Sequence, residues 1–383
     1  MPCDLSMREK WLGLLNGEDV GPMVSPLCDS WRLDEPYRWP YEEPDPFPPG
    51  HPQHVISQQI AMAGLCGWDA MFLADVVFLP KDPAIRPETK CTPIPGGTRV
   101  ESCIHTPYGD LVSVEEHGAS DSVSPASLVF ATRVVKPWLA EQEDYRKVIW
   151  LTGRQMDYDE AAAIASGREI HDAIGERGVL GAYVHAPTVN LLNQEEMFYH
   201  MLDWPQLFDE LHEATFELTY RQLDTIREAG FDYLFYMASG TEWISPDFFR
   251  KYNLEATRMI FAHWRELGGF ILWHSCGHVK RFVEEDFYNE LKPEIFETLS
   301  VPPVGNLPSM RWARERLDPD IVTKGNIPLD ILLQGTAEEV RTEVQRVKEE
   351  ARGYRHVVGL SDNLLENTPL RNCLAFVEES RLT

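Results

Sequence analysis

Eight short apolar runs recur along the chain, at 20–26, 69–74, 179–185, 232–237, 269–275, 294–299, 320–324 and 355–360. Helical patterns stand between them, at 51–66, 141–150, 157–176, 194–229 with a break near Trp204-Pro205, 246–267, 279–291, 308–316 and 337–352, and 369–381 follows the last run. A strand that is followed by a helix each time must run parallel to its neighbours, with the helices packed outside. Eight such units in 383 residues predict a closed α/β barrel of the (β/α)8 TIM type rather than an open sheet. No glycine-rich dinucleotide fingerprint follows any of the strands, which argues against a Rossmann sheet.

Three features decorate this barrel. A short amphipathic helix at 4–17 precedes the first strand. The segment 34–54 is rich in Pro and aromatic residues, with six prolines between 36 and 49. That density forbids helix and central strand alike and reads as a loop, either packed over the fold or solvated. Residues 89–135 read as an insertion with short β segments after the second strand. The whole of 1–383 is expected to be one barrel domain carrying these additions.

Hydrophobic residues make up 43% and charged residues 25% of the chain, a soluble globular profile. Thirty-five basic residues stand against 61 acidic ones, for a net charge of −26. Such a surface repels a phosphate backbone, so nucleic acid is not an expected partner. No stretch approaches the roughly 20 apolar residues of a membrane span, and Met1 to Lys10 lacks the apolar run of a signal peptide. The seven cysteines (Cys3, Cys28, Cys66, Cys91, Cys103, Cys276, Cys373) are odd in number and scattered, unlike a disulfide framework. The expected location is a reducing cytoplasm.

Chemistry in such barrels collects at the C-terminal strand ends. The run Phe270-Ile-Leu-Trp-His274-Ser-Cys276-Gly277-His278 is the most informative of these ends. In a strand, residues i and i+2 point the same way, so His274 and Cys276 emerge side by side, and both are good zinc ligands. The other strand ends offer Asp75; Tyr183 and His185; Tyr236, Ser239 and Glu242; Glu297 and Thr298; Asn326; and Ser361, Asp362 and Asn363. From this set, His274, Cys276, Glu242 and Asp362 form the expected metal site, with His278 as the rival third ligand. Asp75, Tyr236 and Asn326 are the candidate catalytic groups. Trp31, Tyr183, His185 and Trp243 are candidates for lining a substrate pocket. Taken singly, each has a plainer reading: Glu242 as a helix N-terminal acid, Asp362 as a turn residue, and Tyr183 and His185 as core residues with a satisfied polar tip.

The ordered set of motifs resembles the uroporphyrinogen decarboxylase superfamily, and within it the cobalamin-linked methyltransferase branch. The carriers are Arg8-Glu-Lys-Trp-Leu-Gly-Leu-Leu-Asn-Gly-Glu, Thr106-Pro-Tyr-Gly-Asp, Lys136-Pro, Glu143-Asp-Tyr, Ala229-Gly-Phe-Asp-Tyr, Ile244-Ser-Pro-Asp-Phe-Phe, His274-Ser-Cys-Gly-His, Thr323-Lys-Gly-Asn-Ile and Asn367-Thr-Pro-Leu-Arg-Asn. The resemblance implies a (β/α)8 barrel, in agreement with the strand count. It implies zinc held by His-x-Cys and a distant Cys. The first two match His274 and Cys276, but the third position, six residues before Thr368, is Asp362, so a carboxylate stands where the family has a thiolate.

The resemblance further implies methyl transfer between a small donor or acceptor and a corrinoid carried on a separate protein. The oxygen-containing ligand set favours an O-methyl ether as the donor. Homodimerisation is left open. Three other activities stay on the list: a zinc-dependent thiol alkyltransferase, a metal-free decarboxylase that uses Asp75, and a non-catalytic binding protein. The porphyrinogen-binding Arg-x-Ala-Gly-Arg stretch is replaced here by Pro26-Leu-Cys-Asp-Ser-Trp-Arg-Leu, with only Arg32 and Arg38 near the mouth.

Overall fold

A computed structural model describes residues 5–118, 132–187, 194–237 and 244–382. The chain divides into two compact units. The first, residues 1–76, 166–185 and 226–383, carries the barrel.

Seven parallel strands follow one another in the order β1 (Ala70–Ala74), β6 (Gly178–His185), β7 (Tyr233–Met237), β8 (Phe270–Ser275), β9 (Ile295–Thr298), β10 (Val322–Ile327) and β11 (His356–Leu360). The eighth stave is the segment 23–25, which bridges β11 through Val24 and Val358. Ser25 N–H donates to Val358 O at 2.9 Å, and Val358 N–H donates to Met23 O at 3.0 Å. On the other side Asp69 N–H donates to Val24 O at 2.7 Å, and the Asp69 carboxylate accepts from Val24 N–H at 2.8 Å. These bonds join the first and last strands, so the expected (β/α)8 barrel is present.

Alternate residues of each strand fill the interior: Met71 and Leu73, Val179, Tyr233 and Phe235, Phe270 and Leu272, Ile295, Val322 and Val357. Gly181 falls in this series because the Tyr233 ring occupies the space its side chain would take. A Cβ there would lie 2.2 Å from Tyr233 Cζ. The helix Met7–Leu15, started by a capping box between Ser6 and Glu9, places Trp11 and Leu14 against the N-terminal ends of these strands. It closes that end of the barrel and is pinned by the Arg8–Asp232 ion pair.

The Pro-rich segment 34–54 is anchored through its aromatic residues, while its prolines stay exposed. Tyr37 donates to Asp45 at 2.5 Å, and its ring meets Trp31 and His54 edge-on at 5.2 and 4.7 Å. Phe47 is buried.

The second unit comprises residues 77–165 and 186–225. Its centre is an antiparallel sheet of β2 (Glu88–Ile94), β3 (Gly97–Thr106), β4 (Gly109–Gly118) and β5 (Thr132–Lys136). One face, with Ile104 and Leu111, is buried. Here the expected insertion at 89–135 forms a sheet of its own; 119–131 lie outside the described residues.

Candidate functional site

The interior alternation that puts Phe270 and Leu272 in the barrel core also points His274 inward, one layer higher. His274 is paired in register with Glu297 on β9, and Glu297 with Lys324 on β10. Three adjacent strands therefore present imidazole, carboxylate and ammonium side by side, each almost fully buried. His274 Nδ1 lies 2.8 Å from Glu297 Oε1, and Lys324 Nζ is ion-paired with Glu297 Oε2. The Phe235 ring stacks on His274, 4.9 Å between centroids.

The electrostatics follow from these contacts. Burial alone would raise the Glu297 carboxyl; the Lys324 ammonium and the His274 hydrogen bond outweigh it and hold the carboxyl down to about 2. Burial likewise opposes charge on His274, but hydrogen bonds to Cys276 and Glu297 outweigh it, and the imidazole is pushed up to about 10.

With Nδ1 engaged by Glu297, Nε2 faces the mouth. Asp362 Oδ1 lies 4.0 Å from it, too far for a hydrogen bond and close enough for both atoms to share an ion. Cys276 is half-buried beside the imidazole. Gly277, at φ +81°, turns the chain away directly after it, and His278 ends up exposed. The loop bearing Asp362 is tied down by its neighbour Ser361, whose N–H donates to Ile327 O at 2.9 Å and whose carbonyl accepts from Ser300 Oγ at 2.7 Å. The donor set of imidazole nitrogen, thiol and carboxylate, with the second ring nitrogen oriented by a buried carboxylate, fits a zinc-type cation.

The remaining expected residues are distributed unevenly. Asp75 ends β1 on the interior parity; it opens to solvent, and the surrounding protein lifts its carboxyl above the usual range. Tyr183 is half-buried in the interior with its ring against Phe235 at 5.3 Å, and burial raises its hydroxyl. His185 follows on the same face; its Nδ1 is buried and has no hydrogen-bond partner among the described residues, and burial lowers its basicity. Trp31 uses its indole N–H on Glu35 O at 2.7 Å and its backbone N–H on Gln58.

Two residues are not brought to this group. Tyr236 has the opposite strand parity from Phe235 and Met237. Its hydroxyl meets Thr257 Oγ1 at 2.7 Å on the helix Leu254–Glu266. Asn326 spends its amide on Leu299 O at 2.8 Å and its carbonyl on Arg346 at 3.3 Å. Glu242 and Trp243 lie outside the described residues.

The sequence reading placed Glu297 at a strand end without a role and passed over Lys324. Their signal was a charged residue two positions beyond an apolar one in each strand, Ile295 then Glu297 and Val322 then Lys324.

Comparison with known proteins agrees with this architecture. A methyltransferase from Methanosarcina mazei superposes with a TM-score of 0.61 at 16% identity, covering 98% of both chains, a likeness of fold. The uroporphyrinogen decarboxylase of Gluconobacter oxydans (strain 621H) is 26% identical over 189 residues, 46% of this chain and 49% of the relative. The chain thus spans about half the length of the curated relative it matches. The sequence model of the uroporphyrinogen decarboxylase (URO-D) family matches residues 169–382, more than half of the chain and every strand of the barrel from β6 onward. The chain is a member of the uroporphyrinogen decarboxylase family.

Proposed function

We propose that this protein is a zinc-dependent methyltransferase that moves a methyl group between a small donor, an O-methyl ether in the favoured case, and a corrinoid on a separate protein. The observation that carries the reading is His274, with Nδ1 oriented by Glu297 and Nε2 facing Asp362 at 4.0 Å beside Cys276. His274, Cys276 and Asp362 would hold the ion, and Glu242 is the expected fourth ligand. A bound zinc supplies Lewis acidity toward an ether oxygen. The chain's own residues do the rest. Glu297 fixes the ring orientation of His274, and Lys324 fixes Glu297. Tyr183 and the uncharged His185 offer a hydroxyl and a ring nitrogen to a polar substrate group at the same end of the barrel. The Methanosarcina neighbour, named a methyltransferase, supports the reading at the level of fold.

The test is metal analysis together with a cobalamin absorbance assay against a panel of methyl ethers, in the presence of a corrinoid protein. His274→Ala and Cys276→Ser are expected to lose the metal and about 100-fold or more of the activity. Full activity in metal-free protein would overturn the proposal, and transfer to a thiol without a corrinoid would replace it with thiol alkylation.

The Gluconobacter relative, a uroporphyrinogen decarboxylase, favours a second reading, a metal-free decarboxylase. Its polycarboxylate substrate needs free cations. Arg32 is instead paired with Asp29 at 2.9 Å and with Glu366 at 3.4 Å, and Arg38 with Glu35 at 3.4 Å. Equal decarboxylation with and without chelator would support that reading over the first.

A further inference from the structure

Where β3 meets β4, the sheet of the second unit buries Ile104 and Leu111 on one face and leaves His105 and Asp110 exposed on the open face. On the open face, strand register collects four metal-ligating side chains. Cys103 and His105 stand at i and i+2 of β3 and therefore point the same way. Cys103 is paired across the ladder with Glu88 on β2, and His105 with Asp110 on β4. Directly paired residues share a face, so thiol, imidazole and two carboxylates converge there. The ligand atoms of Cys103, His105 and Asp110 all lie within 4.8 Å of one another. Glu88 Oε2 is 3.8 Å from His105 Nε2.

The geometry points to a divalent-cation site on this face, with Cys103, His105 and Asp110 as ligands. It is independent of the barrel residues discussed above, and no step of the proposed methyl transfer uses it.

A His–Asp pair across two strands is by itself an ordinary ion pair. The thiol beside it changes the chemistry, because sulfur, nitrogen and carboxylate oxygen together are the donors of zinc-type ions. In tetrahedral coordination neighbouring donors stand about 3.3–3.7 Å apart. The group is therefore near its closed geometry: His105 Nδ1 and Asp110 Oδ1, now 2.7 Å apart, would open by about half an ångström, and the thiol, within 4.8 Å of both, would move inward by at most about 1.5 Å. These are side-chain rotations on an exposed face and need no change in the ladder. The surrounding charge favours a cation, since the carboxylates of Asp110, Glu88 and Glu101 surround Cys103. An ion would take the place of the thiol proton and be held against net negative charge. Such an ion would tie β3 to β4.

Cobalt(II) is the probe, because thiolate ligation gives it a charge-transfer absorption that carboxylate or imidazole ligation does not. Tag-free, metal-free full-length protein is titrated with cobalt(II), alongside Cys103→Ser and His105→Ala. His105 is exposed and Cys103 half-buried, so these variants are expected to fold. Each variant should bind one equivalent fewer than the parent, and Cys103→Ser should lose the matching share of thiolate absorption. Cys91, on the opposite face of the same sheet, serves as control: Cys91→Ser should leave both readings unchanged. Equal stoichiometry and absorption in the parent and in Cys103→Ser would overturn the proposal. Failure of the barrel site would read differently, as one equivalent in the parent instead of two, with the Cys103-dependent equivalent still present.

Discussion

At the scale of single residues, the decisive feature is a buried charge pair placed behind His274. Lys324 and Glu297 are both almost completely enclosed, and Glu297 divides its two oxygens between Lys324 and His274. A pair of this kind contributes little net stability, but breaking it leaves one charge buried and unpaired. Lys324→Met is therefore expected to destabilise the protein by about 3–5 kcal/mol. The double variant Lys324→Met/Glu297→Gln should cost clearly less than the sum of the two single changes. Urea midpoints of the four proteins test this, and additive costs would mean the two groups are not coupled. The pairing of His274 with Cys276 was legible from spacing alone, because strand parity is a local property. The role of Glu297 was not, because nothing local says which of several strand-end carboxylates will face the imidazole. Tyr236 shows the converse. Its place at a strand end was read correctly, while the alternation that Phe235 and Met237 define sends its hydroxyl outward to Thr257.

At the scale of elements, most helices and strands announced themselves through period and punctuation. The break at Trp204-Pro205 separates the helices Gln194–Asp203 and Pro205–Glu228. The helix expected over 279–291 instead runs as Lys280–Glu284 and Phe287–Leu291, divided where Asp286 adopts φ +67°. The short helix Leu329–Gln334 escaped notice, since six residues give too little periodicity to stand out. Packing inside the barrel sets a sharper requirement than pattern does. At Gly181 the Tyr233 ring leaves no room for a methyl group. Gly181→Ala is expected to cost about 1–3 kcal/mol by overpacking, and a smaller residue at Tyr233 should relieve part of that loss. A denaturation midpoint equal to that of the parent would show that the ring can shift freely.

At the scale of the whole molecule, acid stability follows from histidines enclosed in their neutral form. Burial, reinforced by the nearby Arg314, lowers His356 to about 3; its Nδ1 meets Thr323 Oγ1 at 3.0 Å. The unfolded chain takes up this proton near pH 6.5 and the folded chain only near 3. The stabilisation is thus complete above about 6.5 and is lost progressively as the pH falls toward 3, at about 1.4 kcal/mol per unit. His185, also lowered by burial, acts in the same direction. Urea unfolding between pH 7 and 4 should show a steady loss that His356→Gln flattens. An identical pH slope in that variant would assign the acid sensitivity to other groups.

The sequence alone determined the barrel and the pairing of His274 with Cys276, because both rest on periodicities that each strand carries within itself. Tertiary structure alone decided which side chains those positions meet. The closure of the ring through 23–25, the Glu297–Lys324 backing of His274, and the approach of Asp362 all join residues dozens to hundreds of positions apart. Such meetings depend on strand register and loop anchoring, which are fixed only when the whole ring packs.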